Sequence, residues 1–98
     1  MTFQKDPEHN ETRNLKKFAD FAGKRVLEVG CGEGRLTWRY AANTSFVTGV
    51  DSDRNALLVA AYDRPSDLKS KIHFANVAAE YLPFRKETFD IALLSWSL

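Results

Sequence analysis

The chain has 98 residues, 44% of them hydrophobic and 28% charged, with a net charge of +1. That length holds one domain with a single modest core, and the near-neutral balance argues against the long-range basic field of a nucleic-acid or anionic-membrane binder. Cys31 stands alone, so no internal disulfide forms; His9 and His73 lack metal-ligand spacing, and no stretch approaches the ~18 apolar residues of a membrane span. The reading is a cytoplasmic protein with no metal site, no nucleic-acid partner and no membrane.

In chain order, residues 1–10 read as a disordered or extended tail, and a single domain occupies 11–98. Asn10 can cap a helix over 11–22, whose apolar stripe is Leu15, Phe18, Ala19 and Ala22, with Gly23 as its terminator. A β-branched strand follows at 25–29, then a glycine-rich turn, then a helix over 33–42 with Leu36, Tyr40 and Ala41 facing inward. A second strand spans 45–50. A third helix starts from Ser52 or Asp53, buries Leu57, Ala60 and Ala61, and is stopped by Pro65. Residues 71–77 form a third strand, 78–88 a loop around Pro83, and 89–98 a fourth strand. Strands alternating with helices predict an α/β fold with a parallel sheet and right-handed crossovers.

The chemistry sits in Val26–Leu36, where Gly30, Gly32 and Gly34 directly follow a strand that carries an acid, Glu28. Glycine lets a ligand lie against bare backbone, and a dinucleotide fingerprint uses such a turn for pyrophosphate. Here the third glycine of that fingerprint would fall on Arg35, and Glu28 replaces an apolar residue. Asp51 closes the second strand, where an acid accepts bonds from both hydroxyls of a ribose. Ribose is therefore expected, pyrophosphate is not required, and a cationic ligand group is compatible with Glu28. An NAD-type domain is the weaker alternative.

These residues resemble the class I S-adenosylmethionine-dependent methyltransferases, most closely their small-molecule branch. The run 26–34 is similar to that family's first motif, 49–53 to its second, and 78–98 to the stretch reading Asp-Ala-Glu-x-Leu-Pro-Phe followed by Phe-Asp and an apolar strand. The resemblance covers nearly the whole of 12–98. It implies a Rossmann-like sheet of seven strands in the order 3-2-1-4-5-7-6, of which this chain would hold strands one to four, order 3-2-1-4, as a domain truncated after strand four. It further implies S-adenosylmethionine as cofactor and S-adenosylhomocysteine as product. Gly30 and Gly32 would meet the methionine moiety, Glu28 would support its ammonium end, Asp51 would hold the ribose, and Ser52 would lie along the adenosine. Ala78 and Ala79 would flank adenine, and Ser95 and Trp96 would approach the sulfonium. Ala78 departs from the family, which often has an acid there to accept from the adenine amino group; Asn76 and Glu80 are the nearby substitutes.

The stretch Ser95–Leu98 differs from the Asp/Asn-Pro-Pro-Tyr of enzymes that methylate amino groups of DNA bases, which argues against that reaction without naming the acceptor; a small-molecule acceptor is what the resemblance implies. No catalytic residue is assigned. The donor half is present and the acceptor pocket is not, so the chain alone is expected to be inactive. A methyltransferase-like interaction module is the alternative. Cys31, Trp38, Tyr40, His73 and Asp90 read as turn, packing, surface and strand-entrance residues, and Leu82, Pro83 and Phe84 as packing or a lid. With every helix on one sheet face and the fourth strand's edge unpaired, a dimer or association through that face and edge is expected.

Overall fold

The computed structural model describes residues 2–5, 18–81 and 88–95. Five strands form one parallel sheet: β1 (Thr2–Lys5), β2 (Arg25–Val29), β3 (Phe46–Asp51), β4 (Ile72–Asn76) and β5 (Ile91–Leu94), in the order β1-β5-β2-β3-β4. The four expected strands, β2 to β5, thus take the order 3-2-1-4. Between them lie α1 (Thr37–Tyr40) and α2 (Arg54–Asp63), with short 3-10 turns at Phe18–Phe21, Ala41–Asn43, Ser66–Leu68 and Ala79–Tyr81.

The strands are apolar at consecutive positions because both of their faces are covered, as a parallel sheet requires. On one face Val26, Val47, Ile72, Ile91 and Leu93 pack with Phe21, Leu36, Tyr40, Ala41 and Leu68. On the other, Leu27, Val29 and Val50 pack with Phe89, whose ring meets Phe46 edge-on at 5.9 Å. The register sets Val26 beside Val47 and Ile91, so the central strand is apolar on both flanks. Gly49 in β3 marks a close approach: a Cβ there would stand 2.8 Å from Cys31 Sγ and 3.0 Å from the Phe74 ring.

Several element boundaries differ from the sequence expectation. Residues 6–17 of the expected first helix lie outside the described residues, and Phe18–Phe21 make a single 3-10 turn; Phe21 is buried and Ala22 exposed. The helix expected over 33–42 is only α1 followed by a 3-10 turn, because Gly34 at φ +86 keeps the backbone out of the helical region. Leu36, Tyr40 and Ala41 still face inward. Helix α2 is capped by Asp53, whose carboxylate accepts the Ala56 amide at 3.1 Å, and it buries Leu57 and Ala60 while Ala61 is exposed. Pro65 pushes Arg64 into extended backbone and ends it. The Arg64 guanidinium then reaches the Ile72 carbonyl at 2.7 Å, on the outer strand β4.

The expected raw edge and bare face are both corrected. Thr2–Lys5, read as tail, pairs in parallel along β5 with Thr2 opposite Ile91 and Lys5 opposite Leu94, so the fourth expected strand is internal. Leu27, Val29, Val50 and Ala92 on the second face are all buried. An association built on that edge and that face therefore loses its physical basis. Leu82, Pro83, Phe84 and Trp96 lie outside the described residues. No described helix is long and apolar enough to cross a membrane.

At the amino ends of the strands Asp90 joins β5 to β2. Its Oδ1 accepts from Arg25 Nη2 at 2.9 Å, and its Oδ2 from Arg25 Nε at 3.1 Å and the Arg25 amide at 2.9 Å. These bonds hold the Asp90 carboxyl well below the usual carboxylate range. A depressed pKa contributes stability that is full above the ordinary Asp value of about 4 and is lost as pH falls toward the lowered one. The thermal midpoint of Asp90→Asn should therefore lie below that of the natural chain at neutral pH, and the gap should close as the pH drops below about 4. A gap independent of pH contradicts the pairing.

Candidate functional site

The site is built at the carboxyl ends of β2, β3 and β5. Leaving β2, the chain turns across the end of β3: the Gly30 and Cys31 amides both donate to the Val50 carbonyl, at 2.8 and 3.1 Å. The Gly32 amide donates to Asp51 Oδ2 at 2.8 Å, and the Asp53 amide to Asp51 Oδ1 at 2.8 Å. Asp51 is half-buried. Its carboxylate can accept about four bonds, and these two leave one acceptor position on each oxygen.

The structure separates the roles of the glycines. Gly32 sits at φ +55, and a Cβ built there meets none of the described residues beyond its chain neighbours within 4 Å, so among them its outward side is open. Gly34 sits at φ +86, and its Cβ would fall 2.5 Å from the Trp38 ring. The third glycine thus serves packing: Trp38 roofs the turn and meets Phe74 edge-on at 6.0 Å.

Behind the turn lies Glu28, at 0% exposure. Its Oε1 accepts from the Thr37 hydroxyl at 2.7 Å and the Tyr40 hydroxyl at 2.5 Å, and its Oε2 from the Ser95 hydroxyl at 2.6 Å. Burial first, and then the Glu28 charge, raise the Tyr40 phenol well above its ordinary range. Burial, and after it the charges of Glu28 and Asp51, likewise raise the Cys31 thiol. A thiol so held stays protonated and is no nucleophile, in keeping with its reading as a small turn residue.

Ser95 directly follows β5, and its amide donates to the Val29 carbonyl at 2.9 Å. Its Oγ lies 3.3 Å from the Gly30 carbonyl oxygen and 3.4 Å from that of Val29. The single hydroxyl proton goes to the charged acceptor, Glu28, where the bond is shortest. Ser95 Oγ and the Gly30 oxygen therefore form a pair of acceptors at the mouth of the turn.

Of the other expected residues, Ser52 is exposed just beyond β3, and Ala78 is half-buried with its carbonyl accepting the Tyr81 amide at 2.9 Å. Ala79 begins the 3-10 turn after β4. Asn76 stands beside Asp51 in the ladder, and its Nδ2 donates to the Asp51 carbonyl at 2.8 Å; Glu80 is exposed. Trp96 lies outside the described residues. Sequence reasoning missed Thr37 as a partner of Glu28 and placed Tyr40 only in the core. The available signal was a hydroxyl pair three residues apart on the inward face of the helix after the turn, which is what a buried carboxylate needs. Among the described residues no group of His, Cys, Asp and Glu is placed to hold a metal ion.

Comparison with known proteins finds relatives of the same fold. The demethylmenaquinone methyltransferase of Lactococcus lactis is 28% identical over 89 residues, covering 88% of this chain and 35% of that protein. A ubiquinone biosynthesis O-methyltransferase of Aromatoleum aromaticum is 42% identical over 78 residues, covering 79% of this chain and 33% of its own length. The chain thus spans about a third of the relatives it matches. Among solved structures, the YcgJ protein of Bacillus subtilis superposes with a TM-score of 0.76 at 26% identity, covering 89% of this chain and 38% of that one. A putative S-adenosylmethionine-dependent methyltransferase from Listeria monocytogenes superposes at 0.72 with 27% identity, covering 90% and 41%. Residues 26–98 match the family described as a methyltransferase domain, well over half of the sequence, and the chain belongs to that family.

Proposed function

We propose that this chain is the donor-binding part of an S-adenosylmethionine-dependent methyltransferase whose acceptor is a small molecule. The observation that carries the reading is the open backbone at Gly32 beside the Asp51 carboxylate. A ligand can lie on Gly32 where a side chain would stand, and the two acceptor positions left on Asp51 suit the vicinal hydroxyls of a ribose. Ser95 Oγ and the Gly30 oxygen, two acceptors 3.3 Å apart, suit the ammonium of an amino acid. Glu28 would act on that ammonium from behind Ser95 rather than by touching it, since its carboxylate is buried. Ser52, Ala78 and Ala79 would line the route toward adenine, with Asn76 committed by its Nδ2 to the Asp51 carbonyl. The residues present therefore fit the cofactor.

Bound S-adenosylmethionine supplies a methyl carbon activated by its sulfonium for in-line displacement. What this chain contributes is position: the turn and Asp51 hold the donor, and the electronegative pair Glu28 and Asp51 favours a cationic ligand. Relatives named for quinone methylation support a small-molecule acceptor, and no observation favours the interaction-module alternative. The single thiol, Cys31, is free and fits a reducing, cytoplasmic setting.

Gly32→Ala should fold, at a cost of ~1–2 kcal/mol for a side chain in the left-handed region, and should lose S-adenosylhomocysteine binding by calorimetric titration. Normal affinity in that variant removes the ligand from the turn, and tighter binding of NAD by the natural chain favours the dinucleotide reading. The chain alone should transfer no methyl group above background to a broad acceptor panel. A methylated product identified by mass spectrometry contradicts its role as a donor part only.

A further inference from the structure

Asp51 does two things with one carboxylate. Its Oδ2 accepts the Gly32 amide and its Oδ1 the Asp53 amide, both at 2.8 Å. The first of these bonds spans from β3 to the turn after β2. The bond matters at Gly32 in particular, because, its chain neighbours aside, no atom of the described residues stands within 4 Å of the position a Cβ would take. Side-chain packing on that side cannot hold the peptide, as Trp38 holds Gly34. Glycine is also the residue with the widest choice of backbone conformation. The direction in which the Gly32 peptide points is therefore set largely by its bond to Asp51. Asp51 is in turn fixed by the start of α2 through the Asp53 amide, and its backbone carbonyl accepts from Asn76 Nδ2 at 2.8 Å and the Val77 amide at 3.1 Å.

We infer that Asp51 is a positioning residue for the glycine turn as well as a ribose ligand: it latches Gly32 in the conformation that receives the methionine end of the donor. This rests on the cofactor reading above and assigns Asp51 a second role. Two of its four acceptor positions brace the protein and two are left for the ribose hydroxyls, so ligand binding need not break the latch. The affinity for the methionine end then depends on a residue that does not touch it.

The test separates the two roles by removing the ribose hydroxyls from the ligand. S-adenosylhomocysteine and its 2′,3′-dideoxy analogue are titrated into the natural chain, Asp51→Asn and Asp51→Ala, and amide hydrogen exchange is measured without ligand. A latch predicts that Asp51→Ala weakens even the dideoxy analogue, by about five- to tenfold. Asp51→Asn, which keeps one acceptor oxygen in the same shape, should fall between the natural chain and Asp51→Ala. Gly32 exchange should accelerate at least about tenfold in Asp51→Ala while Val26–Val29 amides are unchanged. If the dideoxy analogue binds both variants as it binds the natural chain, Asp51 is a ribose ligand only and the latch is wrong. Unchanged Gly32 exchange overturns it equally. If the natural chain binds neither ligand, the cofactor reading fails, and this inference with it.

Discussion

The molecule is organised around one carboxylate taken out of water. Leaving a buried charge without hydrogen bonds costs several kcal/mol, and Glu28 meets that demand with three hydroxyls: Thr37 and Tyr40 on α1, and Ser95 beyond β5. The consequence is geometric. Strand β2, the helix after the turn and the end of β5 are tied to one point, so the turn between Gly30 and Leu36 is strung between fixed ends. Tyr40 carries that constraint into the core, where its ring meets Phe21 edge-on at 5.3 Å. An apolar residue at position 28 would suit the sheet but would leave the hydroxyls of Tyr40 and Thr37 to find other partners.

The two ends of the sheet are built differently, and the difference divides structure from function. At the amino ends a forked ion pair between Arg25 and Asp90 sets β5 against β2, in partly exposed positions open to salt and acid. The carboxyl ends are joined differently. The connections there are backbone amides on Val50 and Asp51 and hydroxyls on Glu28. Ligand sites in open parallel sheets lie at those ends, and here that end has both the unfilled acceptors and the bare backbone. Gly34 and Gly49 allow the aromatic packing of Trp38 and Phe74 against the turn, whereas Gly32 faces open space among the described residues.

Much of this was legible in the sequence because it is written in local spacing. The Gly-x-Gly-x-Gly run after a β-branched strand, the acid closing the second strand and the alternation of strands with helices pointed to a parallel sheet and to Gly30, Gly32 and Asp51, and the family resemblance of those motifs supplied the strand order. What escaped was set by distant partners. Nothing in Thr-Phe-Gln-Lys announces a strand, and Thr2–Lys5 becomes one by pairing with β5, almost the whole chain away. The late start of α1 follows from the φ of Gly34, which helix periodicity does not register. The hydroxyls on Glu28 and the fork on Asp90 join residues that only the fold brings together. Ala61 and Ala22 were placed inside on periodicity, but small side chains carry little signal about which way a helix faces.

The central claim is that a nucleoside-bearing methyl donor lies on the turn at the carboxyl edge of β2, β3 and β5. Its most direct test is a titration of the isotope-labelled chain with S-adenosylhomocysteine, followed through the backbone amide resonances. The account predicts saturable shifts concentrated at Gly30–Gly32, Asp51–Asp53, Ala78–Ala79 and Ser95, with Arg25 and Asp90 at the opposite end of the sheet unmoved. Shifts centred on the Arg25–Asp90 end, or a spectrum unchanged at millimolar ligand, would contradict it.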